Sequence, residues 1–196
     1  MPSRNTVRQY DTPAYYHVYN RGAGGSYIFK DAQDKHKFLS LLRRYLSDDP
    51  EYDSYPTYDL DLVAFCVMGN HFHLLLFQAV DPDSISRLMR SISTSYSMYY
   101  NLKYKGHGHV FQSVFKASMI DNESYLAHIT RYIHLNPETY STYKWSSLRY
   151  YLGEPSPDWI NPTVLLDMNP AQYREFIEDY EDKRQVLKEI KDQLAI

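Results

Sequence analysis

The chain switches between two spacings of apolar residues, and the switches lay out its elements. AYYHVYN (14–20) is aromatic and β-branched and runs into RGAGG, which predicts a first strand ending in a flexible loop. From Asp31 to Ser47, Phe38, Leu41, Leu42, Tyr45 and Leu46 recur at helical spacing, with Asp31 placed as N-cap. The stretch 48–58 is acidic and holds Pro50 and Pro56, so it reads as a loop. LVAFCVM and HFHLLLF follow, joined by Gly69-Asn70, a two-residue hairpin signal. Both runs are apolar on both faces, which predicts a central, covered sheet. From Ser84 to Lys103, Ile85, Leu88, Met89, Ile92, Tyr96, Tyr99 and Tyr100 are spaced by threes and fours, as in a long second helix. KGHGH (105–109) breaks it, and VFKASMI (114–120) reads as a fourth strand. Asp121 or Asn122 can cap a third helix with Tyr125, Ile129, Tyr132, Ile133 and Asn136 along one side; Pro137 ends it.

The order β-α-β-β-α-β-α predicts an α+β, ferredoxin-like fold with a central antiparallel sheet and its helices on one face. Residues 1–153 would form this domain and 154–196 a C-terminal helical extension. From Pro170 on, Tyr173, Phe176, Ile177, Tyr180, Leu187, Ile190 and Leu194 form a partial apolar stripe. It could pack on the domain or on a partner chain.

Composition narrows the class. The 196 residues carry a formal net charge of -3, which argues against a wholly basic nucleic-acid binder. The charge is uneven: between Ser84 and Ile133 the basic residues Arg87, Arg90, Lys103, Lys105, Lys116 and Arg131 face only Asp121 and Glu123. A locally basic face on an acidic protein is compatible with this. The single cysteine, Cys66, sits in an apolar run and fits a buried role in a reducing cytoplasm. No apolar run approaches a membrane span, and no signal-peptide core precedes the first strand.

The candidate chemistry lies in GNHFHLLLF (69–77). Strand residues i and i+2 share a face, so His71 and His73 are neighbours with Phe72 turned away. Two imidazoles so placed can converge on one metal ion. His107 and His109 repeat the spacing in a glycine-containing loop, where a solvated or substrate-contacting role is preferred. A third ligand is offered by RYIHLNP, where Tyr132 and Asn136 stand one helical turn apart. An amide oxygen suits Mg²⁺ or Mn²⁺, and a phenol one turn away would reach a metal-bound phosphate. His134 lies on another side of that helix.

YYHVYNRG, FCVMGNHFHLLL, YNLKYKGHGHVFQSVFKA, YLAHITRYIHLNP and WSSLRYYLG, in that order, resemble the HUH single-tyrosine transposases, nearest the REP-associated tyrosine transposases of bacteria. The resemblance spans residues 14–153. It implies a ferredoxin-like fold, His71 and His73 as the paired metal histidines, Tyr132 as nucleophile and Asn136 as the residue completing the metal site. It further implies Mg²⁺ or Mn²⁺ as cofactor, single-stranded or hairpin DNA as substrate, a 5′-phosphotyrosine intermediate and a homodimer. Candidate DNA contacts are Arg21, Arg87, Arg90, Lys103, Lys105, His109, Gln112, Lys116 and Arg131. The chain departs from the family pattern at Val114, where an arginine is usual, and at Gly69, where a proline is usual. A hairpin-binding protein that no longer cuts, and a metal-dependent hydrolase of another substrate, are the alternatives.

Overall fold

Four strands form one antiparallel sheet in the order β2-β3-β1-β4: β1 (Ala14–Arg21), β2 (Asp61–Val67), β3 (His71–Gln78) and β4 (Lys116–Ile120). The helices are α1 (Ala32–Leu46), α2 (Ser84–Tyr104), α3 (Glu123–Leu135), α4 (Leu148–Tyr151) and α5 (Pro170–Glu178). These come from a computed structural model that describes residues 10–162 and 168–179. The order of elements is the ferredoxin-like one that the sequence predicts. Among the described residues no helix is long and apolar enough to cross a membrane.

The helices do not share one face, and here the sequence expectation is corrected. Alternate residues of each strand enter two separate cores. Tyr16, Val18, Phe65, Phe72, Leu74 and Leu76 pack with α1 and α2. Tyr19, Ala64, Cys66 and Leu75 pack instead with α3, α4 and α5. This double cover is the reason β2 and β3 are apolar at nearly every position. A register shift between Leu62 and Ala64 helps fit β2 to both layers.

The β2–β3 turn closes through the Met68 N–H donating to the His71 carbonyl at 2.8 Å. Neither Gly69 nor Asn70 has a positive φ, so glycine is not there for a left-handed backbone. Its reason is close approach: a Cβ on Gly69 would stand 2.7 Å from the Tyr27 ring. The loop carrying Tyr27 is stitched to the turn, since Ile28 and Phe29 both donate N–H groups to the Gly69 carbonyl.

The C-terminal extension is partly internal. Tyr173 and Ile177 of α5 are buried in the α3 core, so the start of the apolar stripe is used within the chain and is not free for a partner. Tyr180, Leu187, Ile190 and Leu194 lie outside the described residues.

One buried ionic knot ties α1 to α2. Asp31 caps α1 by accepting from the Asp34 N–H. The Asp34 carboxylate, fully buried, accepts from Lys103 Nζ (2.7 Å), Tyr104 (2.7 Å), the Lys30 N–H (2.8 Å) and Tyr99 (2.9 Å). Burial alone would raise the Asp34 pKa; Lys103, Tyr104, Lys30 and Tyr99 outweigh it and hold the carboxyl below the ordinary carboxylate value. A depressed pKa stabilises the fold above the unfolded value, near 4, and that contribution is lost as pH falls through the folded value. Asp34→Ala is expected to cost on the order of 3 kcal/mol at neutral pH, read by urea unfolding, because it removes the acceptor shared by Tyr99, Tyr104 and the Lys30 N–H and leaves Lys103 with Asp31 alone. Asp34→Asn should flatten the stability loss below about pH 4.

Candidate active site

Three donors converge between β3 and α3. His71 Nε2 lies 3.0 Å from Asn136 Oδ1, and His73 Nε2 lies 3.4 Å from Asn136 Nδ2. The sheet presents both histidines to α3 while Phe72 enters the other core. Asn136 is the C-cap of α3, one turn past Tyr132, which brings the amide to the mouth of the cluster. His71 and Asn136 are half-buried, whereas His73 and Tyr132 are buried. The cluster therefore opens on the His71–Asn136 side.

Each histidine is held from behind. His71 Nδ1 meets Asn70 Oδ1 at 2.6 Å, and His73 Nδ1 meets His17 Nε2 at 2.9 Å. With Nδ1 bonded on both rings, both Nε2 atoms turn inward. When His71 Nδ1–H donates to Asn70, its Nε2 lone pair faces the Asn136 carbonyl oxygen. Two acceptors at 3.0 Å need a proton or a cation between them. About 3 Å is also the separation of adjacent ligands around a six-coordinate ion with bonds near 2.1 Å. The residues present thus fit a divalent ion. Among the described residues no three His, Cys, Asp or Glu side chains could hold a metal, so this ligand set is neutral.

Tyr132 is 1% exposed and its ring stands edge-on to His73 and His17. Its hydroxyl has no well-formed hydrogen bond. Burial pushes the phenol pKa well up, and the Asn136 amide draws it back only in part. Tyr132 is therefore a neutral phenol at physiological pH.

The polar residues divide by position. Arg21, Gln112 and Lys116 line a small cleft with Tyr19, Asn20, Ser113 and His71 itself. Arg21 Nε donates to Gln112 Oε1 across this cleft. Lys105 and His109 are exposed on the loop that follows α2. That loop is joined to the end of β1 by the Gln112 N–H donating to the Arg21 carbonyl. By contrast, Arg87 and Arg90 sit on α2, which covers the opposite sheet face. Arg87 is paired with Asp81 and Asp83 beyond the far end of β3, about 23 Å from His71 along the strand. Lys103, on the same helix, is engaged by Asp31 and Asp34.

Arg131 requires correction as a DNA contact. It is 1% exposed, donates to the Phe176 carbonyl at 3.0 Å and lies over the Phe176 ring. It fastens α5 to α3. His134 does the same: buried and neutral, with its pKa lowered to about 3 by burial, it bonds Tyr173 (2.6 Å) and Ser147 (2.8 Å). The two residues that sequence reasoning missed are His17 and Asn70. His17 reads as one polar letter in an aromatic strand; its signal was a histidine on the same strand face as Tyr15 and Tyr19.

Residues 52–136 match the family described as "Transposase IS200 like". No curated protein matches the chain. A solved REP-associated tyrosine transposase bound to a REP hairpin is similar at 16% identity, over 85% of this chain and 99% of that one, with a TM-score of 0.59. A candidate transposase from Deinococcus radiodurans R1 is 20% identical over 68% of this chain and 95% of that one, with a TM-score of 0.42. The first of these likenesses establishes the shared fold.

The buried Tyr132 hydroxyl contributes nothing to stability. Tyr132→Phe should therefore melt at the wild-type temperature or above it, since an unpaired buried hydroxyl costs roughly 1–3 kcal/mol. Arg131→Ala should accelerate amide exchange in 170–178, read by mass spectrometry, through loss of the bond to Phe176.

Proposed function

We propose that the chain is a member of the IS200-like, single-tyrosine transposase family and that it cuts and rejoins single-stranded DNA through Tyr132. The observation that carries this reading is the convergence of His71 Nε2, His73 Nε2 and the Asn136 amide one helical turn from that phenol. His71, His73 and Asn136 would hold Mg²⁺ or Mn²⁺, which when bound supplies Lewis-acid polarisation of the scissile phosphate. A neutral ligand set leaves the ion's charge uncompensated, which favours an anionic diester as the missing ligand.

The protein's own groups do the rest. The DNA backbone enters at the half-buried His71–Asn136 side, beside the cleft of Arg21, Gln112 and Lys116. Arg21 and Lys116 offset phosphate charge as the strand settles. Asn136 is the neighbouring group that lowers the Tyr132 pKa. The phenolic oxygen attacks phosphorus in line, its proton leaves to solvent or DNA, and the 3′-oxygen departs as a hydroxyl. The resulting 5′-phosphotyrosine conserves the phosphodiester bond energy. A second 3′-hydroxyl then rejoins the strand with no nucleotide cofactor. The hairpin named for the similar structure suggests hairpin DNA as the substrate of this chain as well. We place the homodimer and the cytoplasm in the same proposal; light scattering at micromolar concentration tests the former.

A second reading draws on the burial of Tyr132: a protein that holds hairpin DNA without cutting it. The two part on a single experiment. End-labelled single-stranded hairpin DNA with Mn²⁺ should yield a denaturation-resistant protein–DNA band, absent for Tyr132→Phe and His71→Ala. Loss of the attacking group should cost many orders of magnitude in rate. An adduct formed by Tyr132→Phe, or mapped by mass spectrometry to another tyrosine, would refute the assignment. Tight binding with no adduct by the wild type selects the second reading.

A further inference from the structure

We infer that His17 is a positioning residue that fixes the tautomer of His73, accepting its Nδ1–H so that the Nε2 lone pair faces Asn136. The inference rests on reading His71, His73 and Asn136 as a metal site.

His17 lies on β1, two residues before Tyr19, the cross-strand partner of His73. The two imidazoles are thus diagonal neighbours on the α3 face. The rings are nearly parallel, 19° between planes and 5.0 Å between centroids, and meet edge to edge, with His17 Nε2 2.9 Å from His73 Nδ1. His17 is completely buried. A fully buried imidazole is neutral, with one N–H and one lone pair.

One proton lies between the two rings, and it can sit on either side. If His17 Nε2 carries it, His73 must be protonated at Nε2. With the Asn136 carbonyl turned to His71, that N–H would confront the Asn136 amide nitrogen 3.4 Å away, donor against donor. If His73 Nδ1 carries it, the Asn136 amide meets a lone pair, and donor faces acceptor at both ends of His73. The second arrangement also leaves Nε2 free to ligate. His71 is fixed in the same sense by Asn70 at its Nδ1. His17 thus does for His73 what Asn70 does for His71, on the dry side of the cluster.

The position shows why an apolar residue would not serve. Its neighbours on this face are Tyr15, Tyr19, Leu75, Tyr132 and, across on β4, Ser118, a largely aromatic and aliphatic setting that a phenylalanine would also fill. A buried imidazole costs desolvation, and its Nδ1 finds no hydrogen-bond partner at all. Among the described residues its hydrogen bond is to His73.

Long-range ¹H–¹⁵N correlation spectra of the metal-free wild type give the His73 tautomer directly; Nδ1–H with a bare Nε2 is expected. His17→Gln can place a carboxamide oxygen where Nε2 stands, whereas His17→Asn reaches only the Nδ1 position and His17→Phe fills the space with no acceptor. The Phe and Asn variants should lose the Nδ1–H preference and bind Mn²⁺ 10–100-fold more weakly in an EPR titration, with Gln close to wild type. Circular dichroism melts separate this from loss of fold, and the wild-type spectrum needs no variant. A wild-type His73 protonated at Nε2, or a folded His17→Phe with wild-type tautomer and Mn²⁺ affinity, overturns the inference. Wild type with the Nδ1–H tautomer but no Mn²⁺ binding supports the tautomer assignment and sinks the metal site of the proposed function instead.

Discussion

The register of β1 against β3 sets Tyr19 opposite His73 and Arg21 opposite His71, and every distance in the site descends from it. A slip of one residue would turn His71 and His73 into the α1–α2 core and present Phe72 to Asn136. Burial on both faces makes such a slip prohibitive, because each face has its own apolar complement. The stability of the sheet and the aim of the imidazoles are thus one property. The α3 helix is locked with equal care. Arg131 and His134 flank Tyr132 in sequence and both reach toward α5, so the C-terminal helix braces the helix that carries the phenol.

The electrostatics follow from the same burial. Every group facing the cluster from inside is neutral: His17 by desolvation, Tyr132 by desolvation, Asn136 by chemistry. Charge lies outside, on Arg21 and Lys116 at the cleft. A dry neutral interior next to a wet cationic rim suits a phosphate diester, which is drawn in by the rim and meets little competing anionic charge within.

Much of this was legible in the sequence, for identifiable reasons. The element order and the Asp31 and Asn122 caps follow from periodicity and side-chain chemistry that act locally. The pairing of His71 with His73, and of Tyr132 with Asn136, follows from the pitch of a strand and of a helix. What was hidden depends on contacts distant in the chain. Nothing local says that α3 crosses to the other sheet face, that Arg131 is sealed under Phe176, or that Lys103 is committed to Asp34. His17 and His73 are 56 residues apart, and only the β1–β3 register makes them neighbours. Composition misled in the same way, since basic residues counted along the sequence are divided in space between two faces of the sheet.

The segment after α3 has a consequence for self-association. The Ser147 N–H donates to the Phe65 carbonyl and the Phe65 N–H to the Ser147 hydroxyl, the Val67 N–H donates to the Trp145 carbonyl, and the Asn161 N–H donates to the Leu62 carbonyl. Irregular chain therefore saturates the outer rim of β2 without contributing a strand. The described chain lays no strand on the other rim, β4, which is five residues long and bears Lys116. Any intruding peptide that seeks to extend the sheet is steered to that one short, charged rim, the feature by which native β-proteins resist aggregation.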